Sequence, residues 1–260
     1  MKLNQLLKTS GIDIKSFILA LKGLPAFLSN YKKIKAATLN SNNEFPITEL
    51  YPCLSDRFDK AGSLPLHYFY QDVVVAGKVF KNNPVKHVDI GSRIDGFVAH
   101  VASFREIEIF DIRSFSTDLP NIKFIKADLT EQNFPLIDYC DSISCLHAIE
   151  HFGLGRYGDK LDYNGHIKGL NNIHKVLKTN GKFYFATPIG NQRIEFDAHR
   201  VFSITYLLDF FKNKYILDSF SYINDKNELF LDYNLDESNI KNNCGCHYGC
   251  GIFELTKLQV

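Results

Sequence analysis

From residue 85 onward, short apolar runs alternate with amphipathic stretches of helical period. The runs predicted as strands are Val85–Ile90, Glu106–Ile112, Ile122–Lys126, Ser142–Leu146, Lys182–Thr187, Tyr215–Ile223 and Gly251–Leu255. The stretches predicted as helices are Asp95–Phe104, His166–Leu177 (ended by Asn180-Gly181) and Ser203–Phe211. Alternating strands and helices pair in parallel, whereas the last two strands, without a helical pattern between them, are expected to form an antiparallel hairpin. The pattern predicts a Rossmann-like α/β sheet, mostly parallel with an antiparallel last strand, and helices on both faces.

The N-terminal third of the chain has a different pattern. Apolar residues at helical spacing between Ile12 and Leu24 predict a helix within residues 1–45, and the polar segment 40–44 predicts a surface loop. A second apolar and aromatic segment, Leu66 to Phe80, predicts a helix that leads into the core. We therefore expect an N-terminal helical extension over residues 1–83, packed on a Rossmann-like domain over residues 84–260.

Composition and charge exclude several classes of protein. The chain has 260 residues, is 45% hydrophobic and carries a formal net charge of +1, without the basic stripe typical of nucleic-acid-binding proteins. Its six cysteines do not resemble a secreted disulfide framework, and Cys53, Cys140 and Cys145 are scattered, which is typical of a reducing cytosol. The apolar run Phe17 to Leu28 is interrupted by Lys22 and Pro25 and is too short to span a bilayer. We expect a cytoplasmic protein with no nucleic-acid partner and no integral membrane span.

A glycine-containing turn follows the first predicted strand, in the segment VDIGSRIDG (88–96). Gly91 allows the backbone to turn sharply and to approach a ligand closely. A dinucleotide site would need G-x-G-x-x-G, which this turn matches only loosely, and Asp95 would repel the phosphates. S-adenosylmethionine (SAM) carries no phosphate; Asp89 suits its ammonium group and Arg93 its carboxylate. The alternative is a tight turn in which Asp95 caps a helix.

Acidic residues accompany three consecutive predicted strands at the carboxyl end of the sheet: Asp89, Asp111 and Asp128. We expect the Asp111 carboxylate to accept both ribose hydroxyls of SAM and Asp128 to accept the adenine amino group. A single aspartate at such a position is usually a turn residue, but the series favours a ligand site. The predicted cofactor-binding residues are Asp89, Gly91, Ser92, Arg93, Gly96, Asp111, Ile112, Asp128, Leu129 and Cys145.

The segment after the fourth predicted strand has the pattern H-x-x-E-H, from His147 through Glu150 to His151. This pattern also occurs in zinc proteases, where both histidines lie on one face of a long helix. Here glycines at 153, 155 and 158 interrupt such a helix, so we expect no metal. A second candidate zinc set, Cys244, Cys246, His247 and Cys250, lacks the usual paired C-x-x-C spacing, and its cysteines are interpreted as small buried residues.

Polar residues suited to an acceptor follow the fourth and fifth strands. We predict His151 or His199 as the base that accepts a proton from the acceptor hydroxyl group, because a neutral imidazole accepts protons near neutral pH. The two histidines are expected on opposite sides of the transferred methyl group. Arg156 and Asp159, in the glycine-rich loop, are predicted to position the acceptor. The alternative is that both histidines only hold loops in place.

Five sequence stretches carry a resemblance to a known family: YPCLSDR (51–57), HYFYQD (67–72), HVDIGSRIDGFVAH (87–100), SCLHAIEHFGLGRYGD (144–159) and Phe185 to Ser203. The chain resembles a small family of unknown function that is grouped with the class I SAM-dependent methyltransferases. Arg93 and Asp95 stand where the wider superfamily has glycines. The resemblance implies a class I methyltransferase sheet, SAM as cofactor and a setting in bacterial surface-glycan assembly.

These observations predict a SAM-dependent methyltransferase that acts on a sugar hydroxyl or another small polar acceptor, including a glycan-linked one. One alternative is a member of the same fold that binds a ligand without methylating it or catalyses a different reaction. A metallohydrolase that uses His147, Glu150 and His151 is the third alternative.

Overall fold

A computed structural model describes residues 13–39, 47–58, 66–113, 119–195 and 198–259, which group into two compact units, one up to residue 64 and one from residue 65 onward. This boundary differs from the one predicted at 83/84. The reason is that the helix Leu66–Asn82 buries Val75, Ala76 and Val79 in the same apolar cluster as Phe97 of the larger unit. Packing of the smaller unit on the larger one stays a prediction.

The smaller unit contains the first predicted helix, α1 (Ile14–Leu39). Its first turn is capped by Asp13, whose carboxylate accepts hydrogen bonds from the amides of Lys15 (3.0 Å) and Ser16 (3.3 Å). Gly23 lies so close to the backbone of Leu54 that a Cβ would be 1.8 Å from the Leu54 carbonyl oxygen, so no larger residue fits there. Ile12 and the predicted loop 40–44 lie outside the described residues. Within the described part of the chain, no helix is both long and apolar enough to cross a membrane.

The larger unit is built on a mixed sheet. Its strands are β1 (His87–Ile90), β2 (Ile107–Asp111), β3 (Ile122–Lys126), β4 (Cys140–Leu146), β5 (Leu177–Ile189), β8 (Tyr215–Ile223), β9 (Leu229–Phe230) and β10 (Gly249–Lys257), while β6 (Arg193–Glu195) and β7 (His199–Val201) form a separate hairpin. The strand order is β3-β2-β1-β4-β5-β10-β8-β9, and the first five strands in this order pair in parallel. The order reverses between β1 and β4, which creates a crevice at their carboxyl ends.

The antiparallel end of the sheet confirms one prediction and corrects another. Strand β10 lies between β5 and β8 and runs antiparallel to both. The expected direct hairpin between the last two strands is wrong, because β9, the short helix α6 (Glu237–Lys241) and a 3-10 turn (Asn243–Gly245) connect β8 to β10. These elements are too short to give a period that sequence analysis detects.

Helices cover both faces of the sheet, as predicted. The helix α2 (Leu66–Asn82) and α3 (Ala99–Ala102) contribute to one apolar cluster. The helices α4 (Gly165–Val176) and α5 (Ile204–Phe211) contribute to the other. Because both faces are covered, β1 is buried along its whole length.

Two predicted boundaries were wrong. The helix predicted from Asp95 is a π-turn over Ile94–Val98 followed by α3, because Gly96 has non-helical dihedral angles. Asn180-Gly181 does not end a helix: α4 ends at Val176 and β5 already begins at Leu177, which pairs with Cys140. The register shifts before Lys182 pairs with Ser142, so the Asn-Gly pair belongs to a bulge within the strand.

Candidate functional site

A cleft of about 340 Å³ opens at the carboxyl ends of β1, β2 and β4, where the strand order reverses. Of the ten predicted cofactor-binding residues, seven line this cleft: Gly91, Ser92, Arg93, Asp111, Ile112, Asp128 and Leu129. Asp89, Gly96 and Cys145 do not line it. Cys145 is fully buried within β4, and Gly96 lies in the π-turn beyond the loop.

The turn after β1 remains open although it lacks two of the glycines of the wider superfamily. Gly91 has a φ of +67°, a left-handed conformation that favours glycine, and a Cβ here would be 3.3 Å from the Ala148 Cβ. The Arg93 guanidinium forms a bidentate ion pair with Asp95 at the surface, with distances of 3.0 and 2.7 Å. The two non-glycine side chains therefore neutralise each other at the rim.

Asp89 lies beneath the cleft. Its fully buried carboxylate accepts hydrogen bonds from the Ser92 amide (2.9 Å), the Ser92 hydroxyl (2.9 Å) and the Ser144 hydroxyl (2.5 Å). Burial, outweighing these hydrogen bonds, raises its pKa to about 6. In this structure Asp89 holds the turn in shape, and its buried carboxylate does not line the cleft in which the ligand ammonium was predicted to bind.

The two acids after β2 and β3 reach the cleft. Asp111 accepts two hydrogen bonds from the Arg113 guanidinium (3.0 and 2.7 Å) and one from the Arg113 amide (2.8 Å). Asp128 binds the amide and the hydroxyl of Thr130 through its Oδ1 atom, at 2.8 and 2.6 Å. Each carboxylate is thus held at the cleft wall by a residue two positions further along the chain.

A buried hydrogen-bonded group lies at the carboxyl end of β4. His147 has a φ of +51°, and its Nδ1 atom lies 2.8 Å from Glu150 Oε1. Thr187 donates a hydrogen bond to the other carboxylate oxygen at 3.4 Å. Burial alone would raise the pKa of Glu150, but the adjacent His147 outweighs it and lowers that pKa. A left-handed histidine is an uncommon conformation that the surrounding structure must hold in place.

Of the two predicted bases, His151 lines the cleft and His199 does not. The His151 Nδ1 atom lies 2.7 Å from the Ala198 carbonyl oxygen, and its Nε2 atom lies 4.0 Å from Glu150 Oε1. The His199 ring is adjacent, 6.3 Å from His151 between centroids, rather than on the opposite side of the cleft. Burial is the main cause that lowers the pKa of each ring below its ordinary value of 6.5.

The glycine-rich loop is held by its own acid. The Asp159 carboxylate accepts hydrogen bonds from the amides of Gly153 (2.8 Å), Gly155 (3.2 Å) and Tyr157 (3.3 Å). Asp159 therefore shapes the loop that carries Arg156, and its role in positioning an acceptor stays a prediction. Arg156 donates to the Ala198 carbonyl oxygen (3.0 Å) and packs over the Tyr157 ring.

Arg200 of β7 forms hydrogen bonds to the turn after β4 and to the loop that follows it. Its buried guanidinium donates to the carbonyl oxygens of Glu150 (3.4 Å), Phe152 (2.7 Å) and Tyr163 (3.0 Å). The turn that carries His151 and the start of the glycine-rich loop are thereby connected to one side chain.

Among the described residues, no group of three or more His, Cys, Asp or Glu side chains is arranged to hold a metal ion. Ile149–His151 forms a short 3-10 turn rather than the long helix of zinc proteases. In this turn the Glu150 carboxylate contacts His147 directly. Cys244, Cys246 and Cys250 precede and begin β10, and burial raises the pKa of Cys246 to about 12.

Sequence analysis missed the part of the cleft that α2 supplies. Tyr68, Gln71 and Asp72 of α2 line the cleft. The stretch HYFYQD (67–72) was among the family-like segments, but helical periodicity alone assigned it to the core. Asp72 is 7% exposed, and burial raises its pKa to about 6.

Solved structures with this arrangement of strands and helices include two methyltransferases and a cyclase. The 1,6-didemethyltoxoflavin N1-methyltransferase of Burkholderia thailandensis, solved with bound 1,6-didemethyltoxoflavin and S-adenosylhomocysteine, has a TM-score of 0.51 and 10% identity over 74% of this chain and 80% of its own. An O-methyltransferase from a PKS multienzyme of Brevibacillus brevis, solved with S-adenosylhomocysteine, has a TM-score of 0.50 and 16% identity over 74% and 72%. The [4+2]-cyclase SpnF has a TM-score of 0.52 and 10% identity over 84% and 86%. The fold is therefore that of the class I, Rossmann-like methyltransferases, as predicted.

A match to a family model identifies the family of the chain. Residues 97–245 match the family described as Caenorhabditis protein of unknown function, DUF268, and the chain belongs to this family. No curated protein matches the sequence. The prediction of an uncharacterised family with a methyltransferase fold is confirmed.

Proposed function

We propose that this protein is a SAM-dependent methyltransferase that acts on a hydroxyl group of a sugar or another small polar acceptor. The observation that carries the proposal is the cleft at the reversal of the strand order. Gly91, Asp111, Asp128 and His151 all line this cleft. Ligands of open α/β sheets bind in this crevice. The glycan-linked acceptor follows from the family resemblance and is part of the same proposal.

The side chains of the cleft fit SAM. Asp111 offers a carboxylate for a ribose diol, and Ile112 and Leu129 offer apolar contacts beside Asp128 for an adenine ring. The turn at Gly91 leaves room for close approach of a ligand. When bound, SAM supplies a methyl group that its sulfonium has already activated for in-line displacement. The protein then mainly has to align an acceptor and remove its proton.

His151 is the residue that we assign to proton removal. Because its Nδ1 atom donates to the Ala198 carbonyl oxygen, Nε2 is left as the proton acceptor. The lowered pKa keeps the ring neutral at pH 7, so it can accept a proton. The Glu150 carboxylate, 4.0 Å from Nε2, stabilises the imidazolium that results.

Binding is the first test. Calorimetry with SAM and S-adenosylhomocysteine should show binding to the parent, and Asp111→Ala should weaken it by about 1.5–3 kcal/mol, the range for hydrogen bonds to a charged group. A parent protein with no measurable affinity for either compound contradicts the proposal. An Asp111→Ala variant that binds as tightly as the parent contradicts the placement of the ribose.

Turnover is the second test, on an acceptor identified with radiolabelled SAM. His151→Ala should keep its affinity for S-adenosylhomocysteine and lose about 10²–10⁴-fold in turnover. The parent's activity should rise with pH through a midpoint below 6.5, because burial lowers the pKa of His151. His247→Gln, which changes an exposed histidine outside the cleft, is the control. Near-parental turnover in His151→Ala, corrected for folded protein, contradicts the assignment.

The alternative of a different reaction on the same fold also has support. SpnF, a cyclase, has this fold, and the Arg93–Asp95 pair is a departure from the superfamily's glycine turn. This alternative predicts binding of S-adenosylhomocysteine with no methyl transfer to any acceptor. Release of S-adenosylhomocysteine from SAM during turnover favours the methyltransferase.

A further inference from the structure

The turn after β1 leaves the ammonium end of SAM without its expected partner. Asp89, the acid predicted for that group, is fully buried and accepts three hydrogen bonds from serine groups of the protein. The rim residue Arg93 is cationic and is paired with Asp95. An ammonium group bound over Gly91 therefore needs another carboxylate.

Asp72 is a carboxylate with the required properties. It lines the cleft together with Gly91, Ser92 and His147, and it is 7% exposed. Its Oδ1 atom accepts one side-chain hydrogen bond, from Gln71 at 3.1 Å. Within the described part of the chain, no lysine or arginine forms an ion pair with it. The groups that lower the pKa of Asp72 are Gln71, His100, His147 and the Phe97 amide, yet burial outweighs them. A buried carboxylate that its neighbours compensate only in part is costly, and it fits a site whose cation arrives with the ligand.

The other acids of the cleft have different roles. Asp111, paired with Arg113, is assigned to the ribose, and the Asp159 carboxylate accepts hydrogen bonds from loop amides. Asp128 binds Thr130 at the far end of the cleft, beyond Asp111. Asp72 is thus the acid on the side of the cleft formed by α2 and the Gly91 turn, where the amino-acid portion of SAM would extend from a ribose on Asp111.

Gly96 supports a role for this carboxylate at the turn. A Cβ at position 96 would lie 2.5 Å from the Asp72 Oδ2 atom, so the glycine makes room for the carboxylate. Asp72 and Asp89 are also close enough that the charge on Asp72 contributes to raising the pKa of Asp89. A cation bound between the turn and α2 would relieve the repulsion between these two acids.

We propose that Asp72 binds the ammonium group of the cofactor's amino-acid portion and makes the site selective for ligands that carry this group. The inference rests on the proposed function. It assigns a ligand-binding role to α2 that neither the strand-end acids nor the glycine turn indicates.

The test compares S-adenosylhomocysteine with its deamino analogue, in which hydrogen replaces the amino group. Calorimetry on the full chain should show that Asp72→Asn weakens binding of S-adenosylhomocysteine by about 10- to 100-fold and leaves the affinity for the deamino analogue within about twofold. Asp72→Glu, which keeps the charge, should recover part of the lost affinity. Asp128→Asn is the matched control: it removes a carboxylate at the adenine end and should weaken both ligands equally.

The outcomes separate this inference from the proposed function. If the parent binds S-adenosylhomocysteine and Asp72→Asn weakens both ligands equally, or neither, Asp72 has only a structural role and the inference is overturned. If the parent binds neither ligand, the proposed function fails, and the inference fails with it. Thermal melting checks that Asp72→Asn is folded, which we expect because the change is isosteric.

Discussion

Asp72→Asn should stabilise the folded protein at neutral pH. Burial raises the pKa of Asp72 from 3.8 to about 6, so at pH 7 the folded state must hold a carboxylate that the unfolded state ionises more easily. A difference of about two pH units corresponds to about 3 kcal/mol, and contact with solvent in the cleft reduces this to about 2 kcal/mol. The asparagine avoids that cost and can still accept a hydrogen bond from Gln71.

The pH dependence follows from the sign of the shift. Because the folded pKa is higher than the unfolded pKa, the protonated carboxyl group contributes stability that is fully present below pH 3.8 and is lost as the pH rises through about 6. The groups that face Asp72 are Gln71, His100, His147, the Phe97 amide and Asp89. The gain in the free energy of unfolding should therefore be below about 1 kcal/mol at pH 4 and about 2 kcal/mol at pH 7.5.

Urea denaturation followed by circular dichroism at the two pH values measures this difference. Asp95→Asn is the control, because the Asp95 carboxylate is exposed and its pKa is lowered by the Arg93 guanidinium. That variant should gain no stability as the pH rises. A gain in Asp72→Asn that is equal at both pH values, or a loss at pH 7.5, would refute the view that burial of the Asp72 carboxylate destabilises the folded protein. Together with weaker ligand binding, the expected gain would show that stability is given up for function at this position.

Three further predictions concern the turn after β4 and its loop. Arg200→Met should lower the free energy of unfolding by about 3 kcal/mol, because the carbonyl oxygens of Phe152 and Tyr163 lose a buried charged donor. Urea denaturation measures this change, and an unchanged unfolding midpoint would contradict the prediction. Asp159→Asn should increase amide hydrogen exchange at Gly153, Gly155 and Tyr157, because the single side-chain oxygen of asparagine cannot replace both carboxylate oxygens. Exchange at these amides equal to that of the parent would contradict this prediction. Elemental analysis should find less than stoichiometric zinc, and stoichiometric zinc lost in His147→Ala would instead favour the metallohydrolase.

The sheet was largely predictable because its strands are apolar runs bounded by turn residues. Ile122–Lys126 and Tyr215–Ile223 were predicted with the bounds that the structure has. The hairpin of β6 and β7 was missed because each strand has three residues, too few for an alternating pattern. The start of β5 was missed because its bulge has the turn sequence Asn180-Gly181.

Site residues that end or follow a strand could be predicted from the sequence. Residues whose place in the site depends on the packing of strands and helices could not. Asp111 and Asp128 reach the cleft because they end or follow strands. Asp89 lies one residue before the end of β1, inside the strand, so its side chain is buried beside Ser144, its partner on β4. The role of α2 could not be predicted from periodicity, because a helix face that borders a cleft and one that borders the core are both apolar on average.

The position of β10 constrains the order in which the chain can fold during synthesis. Strands β1 to β5 can pair as soon as residue 189 has left the ribosome, but the open edge of β5 stays unpaired until residues 249–257 follow. Until then β8 has no neighbour on that side either, since β10 is the strand that joins it to the parallel half of the sheet. A nascent or truncated chain that ends before residue 249 therefore exposes two strand edges that invite pairing with other chains. Pairing of β10 with β5 and β8 covers both of these edges at once.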